Sequence, residues 1–321
     1  MGKKLVIVGA GYAGILTAKK LERKIRKAGM QDDVEITIID RNPFHTMLTE
    51  LHEVAGGRVD ETSVKVNLEK VFTGRKVNVK LDYIESVDFK SQIVKGRTGE
   101  YPFDYVVISA GSKPTCFGID GVAENVYNLW SYDDALRLRA QIEEMFRSAS
   151  REKDPAVRKR LLTFYVVGAG FTGVEIAGEL AEFRDVLCDK FEVSPYEVNI
   201  NLVDLLDRTV PTLSLKQSEK AARRLRRMGV SISLGTNVVR VGHDFIEIKR
   251  NGELINDPTS TIIWAAGIES STLTGQCSRE LAAPTAGRGR IIVNEYLQTS
   301  ESEKVYVIGD NMFYIPEGQS G

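Results

Sequence analysis

The sequence predicts an α/β fold in which one unit is used twice, each a parallel sheet built around a glycine-rich strand-to-helix turn. Three observations carry this. Residues 4–21 read KLVIVGAGYAGILTAKKL: an apolar run suited to a buried parallel strand, three glycines (Gly9, Gly11, Gly14), then apolar residues at helical spacing. Residues 163–181 read TFYVVGAGFTGVEIAGELA and place Gly168, Gly170 and Gly173 at the same spacing. Each stretch is then followed by the same succession: a strand closed by an aspartate, a short antiparallel insert, and a strand stopping at Ala-Gly.

Taking the elements in order, residues 5–8 read as the first strand and 14–28 as a helix with an apolar stripe. A glycine turn at this junction exposes backbone N–H groups at a helix N-terminus, where a pyrophosphate can sit. Alone the spacing is a weak signal; its repetition implies two dinucleotides. Residues 34–39 (VEITII) form the next strand, ending in Asp40, where such a fold grips a ribose through its hydroxyls. Pro43 then marks a turn, and residues up to Ala55 read as a helix containing His45 and His52. Their spacing does not fit an i, i+4 metal pair and no cysteine is near, so no metal site is expected. Residues 77–81 read as a strand, with 84–87 and 92–94 as a short antiparallel pair. The strand at 105–109 (YVVIS) stops at Ala110-Gly111, small residues that permit close approach of a ligand.

Pro114 and the turn at 118–121 mark the crossing into the second domain. Ser131 caps a helix running to about residue 148, with Asp133 and Asp134 in its first turn. The charged, Pro155-containing stretch 148–160 reads as a surface connection. In the second glycine turn one difference stands out: Glu175 replaces Leu16 of the first copy. Residues 198–203 form the matching second strand, closed by Asp204, which disfavours a 2′-phosphate and so favours NADH over NADPH, although Arg208 lies four residues on. An arginine-rich amphipathic helix at 218–228 ends at Gly229. Strands at 230–234, 237–241 and 245–249 follow, with a hairpin at Asn251-Gly252. The strand at 261–265 (TIIWA) stops at Ala266-Gly267, and late strands at 287–293 and 305–308 lead to Gly309-Asp310. The boundaries implied are 1–115 plus 280–321 for a discontinuous first domain and 116–279 for the second.

Bulk properties restrict the function further. With 42% hydrophobic and 27% charged residues and a net charge of −1, nothing argues for nucleic acid. Basic clusters such as KKLERKIRK at 19–27 are interrupted by acids and read as solvated helix faces. Cys116, Cys188 and Cys277 lie far apart, which disfavours a disulfide framework or a dithiol redox centre and suits a cytoplasmic setting. No signal peptide is visible, and the longest uncharged runs are the glycine turns, too short to span a bilayer.

With these residues in place, the sequence resembles the two-dinucleotide flavoprotein reductases, which have the three-layer glutathione-reductase-like architecture. Within them it resembles the type II NADH dehydrogenases. The broad class rests on Gly9/Gly11/Gly14, Gly168/Gly170/Gly173, Ala110-Gly111 and Gly309-Asp310. The narrower likeness rests on Arg41-Asn42-Pro43-Phe44-His45, on Thr49-Glu50-Leu51-His52-Glu53-Val54-Ala55, on Gly170-Phe171-Thr172-Gly173-Val174-Glu175 and on Ile263-Trp264-Ala265-Ala266-Gly267. The resemblance implies FAD in the first unit: the turn Gly9, Gly11, Tyr12, Ala13 and Gly14 at its pyrophosphate, and Asp40 with Arg41 at its adenosine ribose. It further implies Ile84 offering backbone to the adenine, Thr49 and Ala110-Gly111 near the flavin, and Asp310 at the ribityl chain. It implies NADH in the second unit, on Gly168, Gly170, Phe171, Thr172 and Gly173, with Asp204 at the ribose, Gly267 nearby, and Glu175 beside nicotinamide and flavin. Members of this family continue beyond the point where this sequence ends, into quinone contacts and a membrane-binding segment. A peripheral contact at the cytoplasmic face of a membrane and a homodimer are expectations of the same kind.

The chemistry asked of such a protein is modest, because a flavin accepts hydride by itself and the protein supplies stacking, orientation and exclusion of water. Glu175 is assigned an orienting role on the carboxamide, against the plainer reading of an acid favoured by the helix macrodipole. Phe171 either gates the nicotinamide pocket or belongs to the core. Three functions stay open at this point: an FAD-dependent NADH dehydrogenase delivering electrons to a quinone, an NADH reductase serving a soluble carrier such as a ferredoxin or rubredoxin, and a noncatalytic redox-sensing module.

Overall fold

The computed structural model describes residues 2–316. The elements that position the candidate site are, in chain order, β1 (Lys3–Val8), α1 (Tyr12–Lys27), β2 (Val34–Asp40), α2 (Leu51–Ala55), β3 (Asn78–Leu81), β4 (Tyr105–Ile108), α3 (Tyr132–Arg151), β5 (Thr163–Val167), α4 (Phe171–Phe191), β6 (Asn199–Val203), α5 (Leu215–Arg227), β7 (Val230–Ser233), β8 (Thr261–Trp264) and β9 (Ser302–Val307). They divide into two compact units, one of Met1–Thr46, Lys65–Lys113 and Ile268–Gly321, the other of Met47–Val64 and Pro114–Gly267.

In the first unit the sheet order is β9-β4-β1-β2-β3, with the short strand Gln298–Thr299 on the outer edge of β9. The five named strands run parallel, with Val8 opposite both Ile39 and Ile108. Parity along each strand splits the side chains between two cores, since successive residues point to opposite faces. Ile7, Ile38 and Val107 pack with Ala18 of α1 and with Leu68 and Phe72, while Val6, Val8, Val106 and Ile108 pack with Val87 and Val94 of an antiparallel insert. That insert has three strands, Ile84–Asp88, Ile93–Gly96 and Glu100–Pro102. Its corner is held by Asp82, 5% exposed, which accepts from the Tyr101 hydroxyl at 2.9 Å and from the Thr98 N–H.

The second unit repeats this. Its order is β8-β5-β6-β7, with Tyr127–Asn128 outside β8, all parallel. Phe164 and Val166 face α3 and α4, whereas Tyr165 and Val167 face the insert formed by Thr236–Val241, Phe245–Arg250 and Glu253–Pro258. Each unit is therefore three layers deep, helices on one side and a small antiparallel sheet on the other. The duplicated α/β architecture expected from the sequence is present.

Several boundaries differ from the sequence expectation. The helix expected at 14–28 begins at Tyr12, because Gly11 already serves as its N-cap. The stretch after Pro43 is not continuously helical: Phe44–Thr46 pairs antiparallel with Lys65–Asn67 before α2 forms. Residues 148–160 are not a loop. α3 runs on to Arg151, and Asp154 then caps a further helix, Pro155–Leu161, with proline at the first position, where its missing N–H is harmless. The domain division also differs. Met47–Val64 belongs to the second unit, because Leu51, Val54 and Ala55 of α2 bury themselves in the core of α3 and α4. Residues 268–279 belong to the first unit, where Cys277 joins the insert-side core.

Candidate functional site

The two glycine turns are built alike. Gly9 and Gly168 have φ of +102° and +103°, and their N–H groups donate to Ile39 and Val203 at 2.8 Å in both cases. A Cβ on Gly14 would collide with the Gly9 carbonyl oxygen, and one on Gly173 with that of Gly168, so the helix packs directly on the turn. The middle glycines behave differently. Gly11 and Gly170 have ordinary φ of −74° and −72°, and a Cβ on either would meet nothing within 4 Å. No described neighbour requires glycine there, and the space above each is left open to an occupant. The first turn of each helix also presents N–H groups that the helix itself cannot use. The residues present thus fit a pyrophosphate in each unit.

The acids at the ends of the second strands take part in this. Asp40 accepts from the Ala10 N–H at 2.7 Å and from Asn42 at 2.9 Å; Asp204 accepts from the N–H groups of Ala169 and, at 2.7 Å, Leu206. Arg208, which on spacing alone could have served a 2′-phosphate, donates to the Pro211 carbonyl. In the first unit the Gly309-Asp310 turn lies against Ala13, and Asp310 accepts from the Ser112 hydroxyl at 2.9 Å. Asn311, fully buried, pins that turn through the Ile108 and Ile308 carbonyls and the Thr274 hydroxyl. Ser109 bridges the Val8 and Gly9 carbonyls at 2.8 Å each. His45 sits beside the same turn, its ring 4.5 Å from that of Tyr12 and its Nδ1 3.2 Å from the Ala10 oxygen; burial lowers its proton affinity.

Within the second unit Glu175 stands on the second turn of α4, 44% exposed, with His52 Nδ1 3.8 Å from its Oε2. Burial raises the proton affinity of Glu175, His52 lowers it and Glu50 raises it. One helical turn on, Glu179 is 9% exposed and pairs with Arg58 at 3.0 Å, and Arg58 also holds Glu53 at 2.6 Å. Phe171 is 53% exposed, which removes the core reading of this side chain within its own unit.

The structure therefore gathers Gly9, Gly11, Tyr12, Ala13, Gly14, Asp40, Ala110 and Asp310 around one turn, with Gly111 following Ala110 at φ +69°, and Gly168, Gly170, Phe171, Thr172, Gly173 and Asp204 around the other. Gly267 follows β8 with φ +84°, beside Ala265, against which Gly168 packs. Ile84 opens the insert of the first unit, and Arg41 follows β2. Thr49 falls in the second unit, on the segment that carries α2. Sequence reading did not assign roles to Ser109, Ser112, Asn311, Arg58 or Glu179. Only Ser109 and Ser112 carried a signal, their position flanking Ala110-Gly111.

Two glycine turns of this geometry, each tied to a strand-end aspartate, define a protein with two dinucleotide-binding units. Residues 3–319 match the family described as pyridine nucleotide-disulphide oxidoreductase. The chain is 31% identical over 319 residues to a type II NADH:quinone oxidoreductase of Staphylococcus saprophyticus, covering 99% of this chain and 76% of that protein. It is 32% identical to the corresponding Staphylococcus aureus protein over the same extent. The chain belongs to the pyridine nucleotide-disulphide oxidoreductases and, within them, to the type II NADH:quinone oxidoreductases. Among solved structures, NDH2 from Plasmodium falciparum in complex with NADH superposes with a TM-score of 0.89 at 19% identity, over 98% of this chain and 65% of that one. The sulfide:quinone oxidoreductase of Aquifex aeolicus gives 0.76 at 18% identity, over 97% and 69%. At these identities the likeness shows the fold. Among the described residues no helix is long and apolar enough to cross a membrane.

Proposed function

We propose that this chain carries the FAD- and NADH-binding parts of an NADH dehydrogenase that delivers electrons to a quinone. The observation that carries the reading is the pair of open middle glycines, Gly11 and Gly170, each in a turn closed by an aspartate. The first turn, with Asp40 and Asp310, holds FAD; the second, with Asp204, holds NADH. When bound, the flavin supplies hydride acceptance and onward electron transfer, so no side chain need act as nucleophile. The chain's own residues bind and orient. Helix N-termini receive the pyrophosphates, Asp204 takes the ribose hydroxyls, and Glu175 orients the carboxamide of the nicotinamide. The two carboxylate oxygens of Asp204 each accept one backbone N–H and keep lone pairs for a ribose. A phosphate in the same place would meet that charge, with Arg208 engaged by the Pro211 carbonyl, which supports NADH over NADPH. The quinone as acceptor is carried over from the relatives, and a homodimer and peripheral membrane association follow from the family resemblance.

The test is spectroscopic. Purified protein reconstituted with FAD should show a flavin absorbance that NADH bleaches without oxygen and that a soluble quinone restores. Bleaching without restoration by quinone, but with restoration by a ferredoxin or rubredoxin, would replace the acceptor. Protein that retains neither nucleotide would end the reading.

A further inference from the structure

The segment Met47–Val64 departs from the first half of the chain to join the second unit, where α2 packs against α3 and against one face of α4. Glu175 and Glu179 are four residues apart, so both point to that face. His52 on α2 approaches Glu175 at 3.8 Å with only 12% of its side chain exposed. Arg58 bridges Glu179 and Glu53, locking the end of the segment to the helix. Close approach is permitted by two glycines: a Cβ on Gly56 would stand 2.8 Å from the Glu179 Cβ, and one on Gly57 would stand 2.8 Å from the Phe183 ring. A docked α2 therefore fixes where His52 stands relative to Glu175. A helix packed for cohesion alone would need the apolar contacts of Leu51, Val54 and Ala55; it would not need a histidine turned to a carboxylate.

We propose that His52 is a positioning residue for Glu175: from the docked α2 it sets where the carboxylate stands and the charge it presents to the nicotinamide end of a bound dinucleotide. This deepens the NADH reading above and rests on it. The charged groups facing this pair are few. Glu50 of the docked segment acts on Glu175 together with His52; Arg58, Glu53 and Glu182 stand around Glu179, one turn further along α4, which His52 also reaches. Arg224 of α5 meets Glu182 at 3.8 Å, and Glu143 of α3 meets Lys190 at 2.9 Å, both further along α4. His52, when protonated, favours the ionised form of Glu175, and Glu50 opposes it.

NAD+ is the probe, because it binds the oxidised holoprotein without turnover and its cationic ring reports the charge on Glu175. Calorimetric titration across acid to neutral pH should show NAD+ binding tightening as Glu175 ionises, with Glu175→Gln giving a flat profile. His52→Asn should move the midpoint up, and Glu50→Gln should move it down. His52→Gln keeps the test if His52→Asn does not fold. Midpoints that stay put or move together overturn the role of His52 while leaving the NADH site standing. A flat profile in the unaltered protein overturns the placement of Glu175 at the nicotinamide, and this proposal with it.

Discussion

The carboxylate of Asp204 accepts the backbone N–H of Ala169, so the acid that ends one strand is tied to the glycine turn that ends its neighbour. Asp40 stands in the same relation to Ala10, at 2.7 Å. An acid at this place in the fold is usually assigned to a ribose alone. Here it also fixes the turn on which the pyrophosphate would rest, and the two tasks share one side chain.

Asp204→Asn should therefore weaken NADH binding more than loss of a ribose contact alone. A charge-assisted hydrogen bond contributes about 1.5–3 kcal/mol, so KM for NADH should rise roughly ten- to a hundredfold, and the ratio of NADH to NADPH efficiency should fall. Steady-state kinetics with both nucleotides decides this. An unchanged ratio removes Asp204 from the ribose site.

The two turns lie in separate units, which makes their loss separable. Gly14→Ala forces α1 away from the Gly9 carbonyl and should leave the purified protein with little flavin. Gly173→Ala should spare flavin content yet impair bleaching by NADH, since the same collision then occurs with Gly168. Flavin-to-protein absorbance ratios and anaerobic NADH titration measure both. If either variant lost both nucleotides, the assignment of one nucleotide to each unit would fall.

Stability should carry an acid limb from Asp82. Burial raises its proton affinity, but the Tyr101 hydroxyl and the Thr98 hydroxyl and N–H outweigh it and hold its carboxyl below the usual carboxylate range. A group whose folded pKa is depressed contributes stability above its unfolded pKa, near 3.9, and loses it as pH falls through the folded value. Asp82→Asn should lower the urea midpoint at neutral pH and narrow the gap between neutral and strongly acid conditions. Parallel denaturation curves for the two proteins at both pH values test it; equal gaps would deny Asp82 this role.

Thiol chemistry should be sparse despite the family's name. Cys116, Cys188 and Cys277 are all free thiols. Burial pushes the Cys277 thiol up to about 12, and Cys188 is raised by burial as well. At pH 8 a thiol of that kind is thiolate in roughly one molecule in ten thousand. In the native protein a thiol reagent such as DTNB should label Cys116 first and the other two only after denaturation. Fast native labelling of Cys277 would contradict its place in the core.

Much of the fold was legible because its determinants are local. A glycine at positive φ, an aspartate at a strand end and alternating apolar residues each declare themselves within a few positions. The helix at Pro155–Leu161 was missed for a related reason: charge and proline suggested a loop, whereas Asp154 and Pro155 together form a helix start. The short strand Phe44–Thr46 was missed because its partner, Lys65–Asn67, lies beyond α2.

By itself the sequence determined two dinucleotide turns, their aspartates, the duplicated order of strands and the absence of a dithiol pair. These depend on backbone geometry and period, which neighbouring residues impose on one another. Only the tertiary structure decided that Met47–Val64 joins the second unit, that His52 stands beside Glu175, that Arg58 bridges Glu53 and Glu179, and that Arg208 turns to a carbonyl. Those pairings follow from burying the apolar side of α2 in a core made by residues far along the chain. No local pattern records which core that will be.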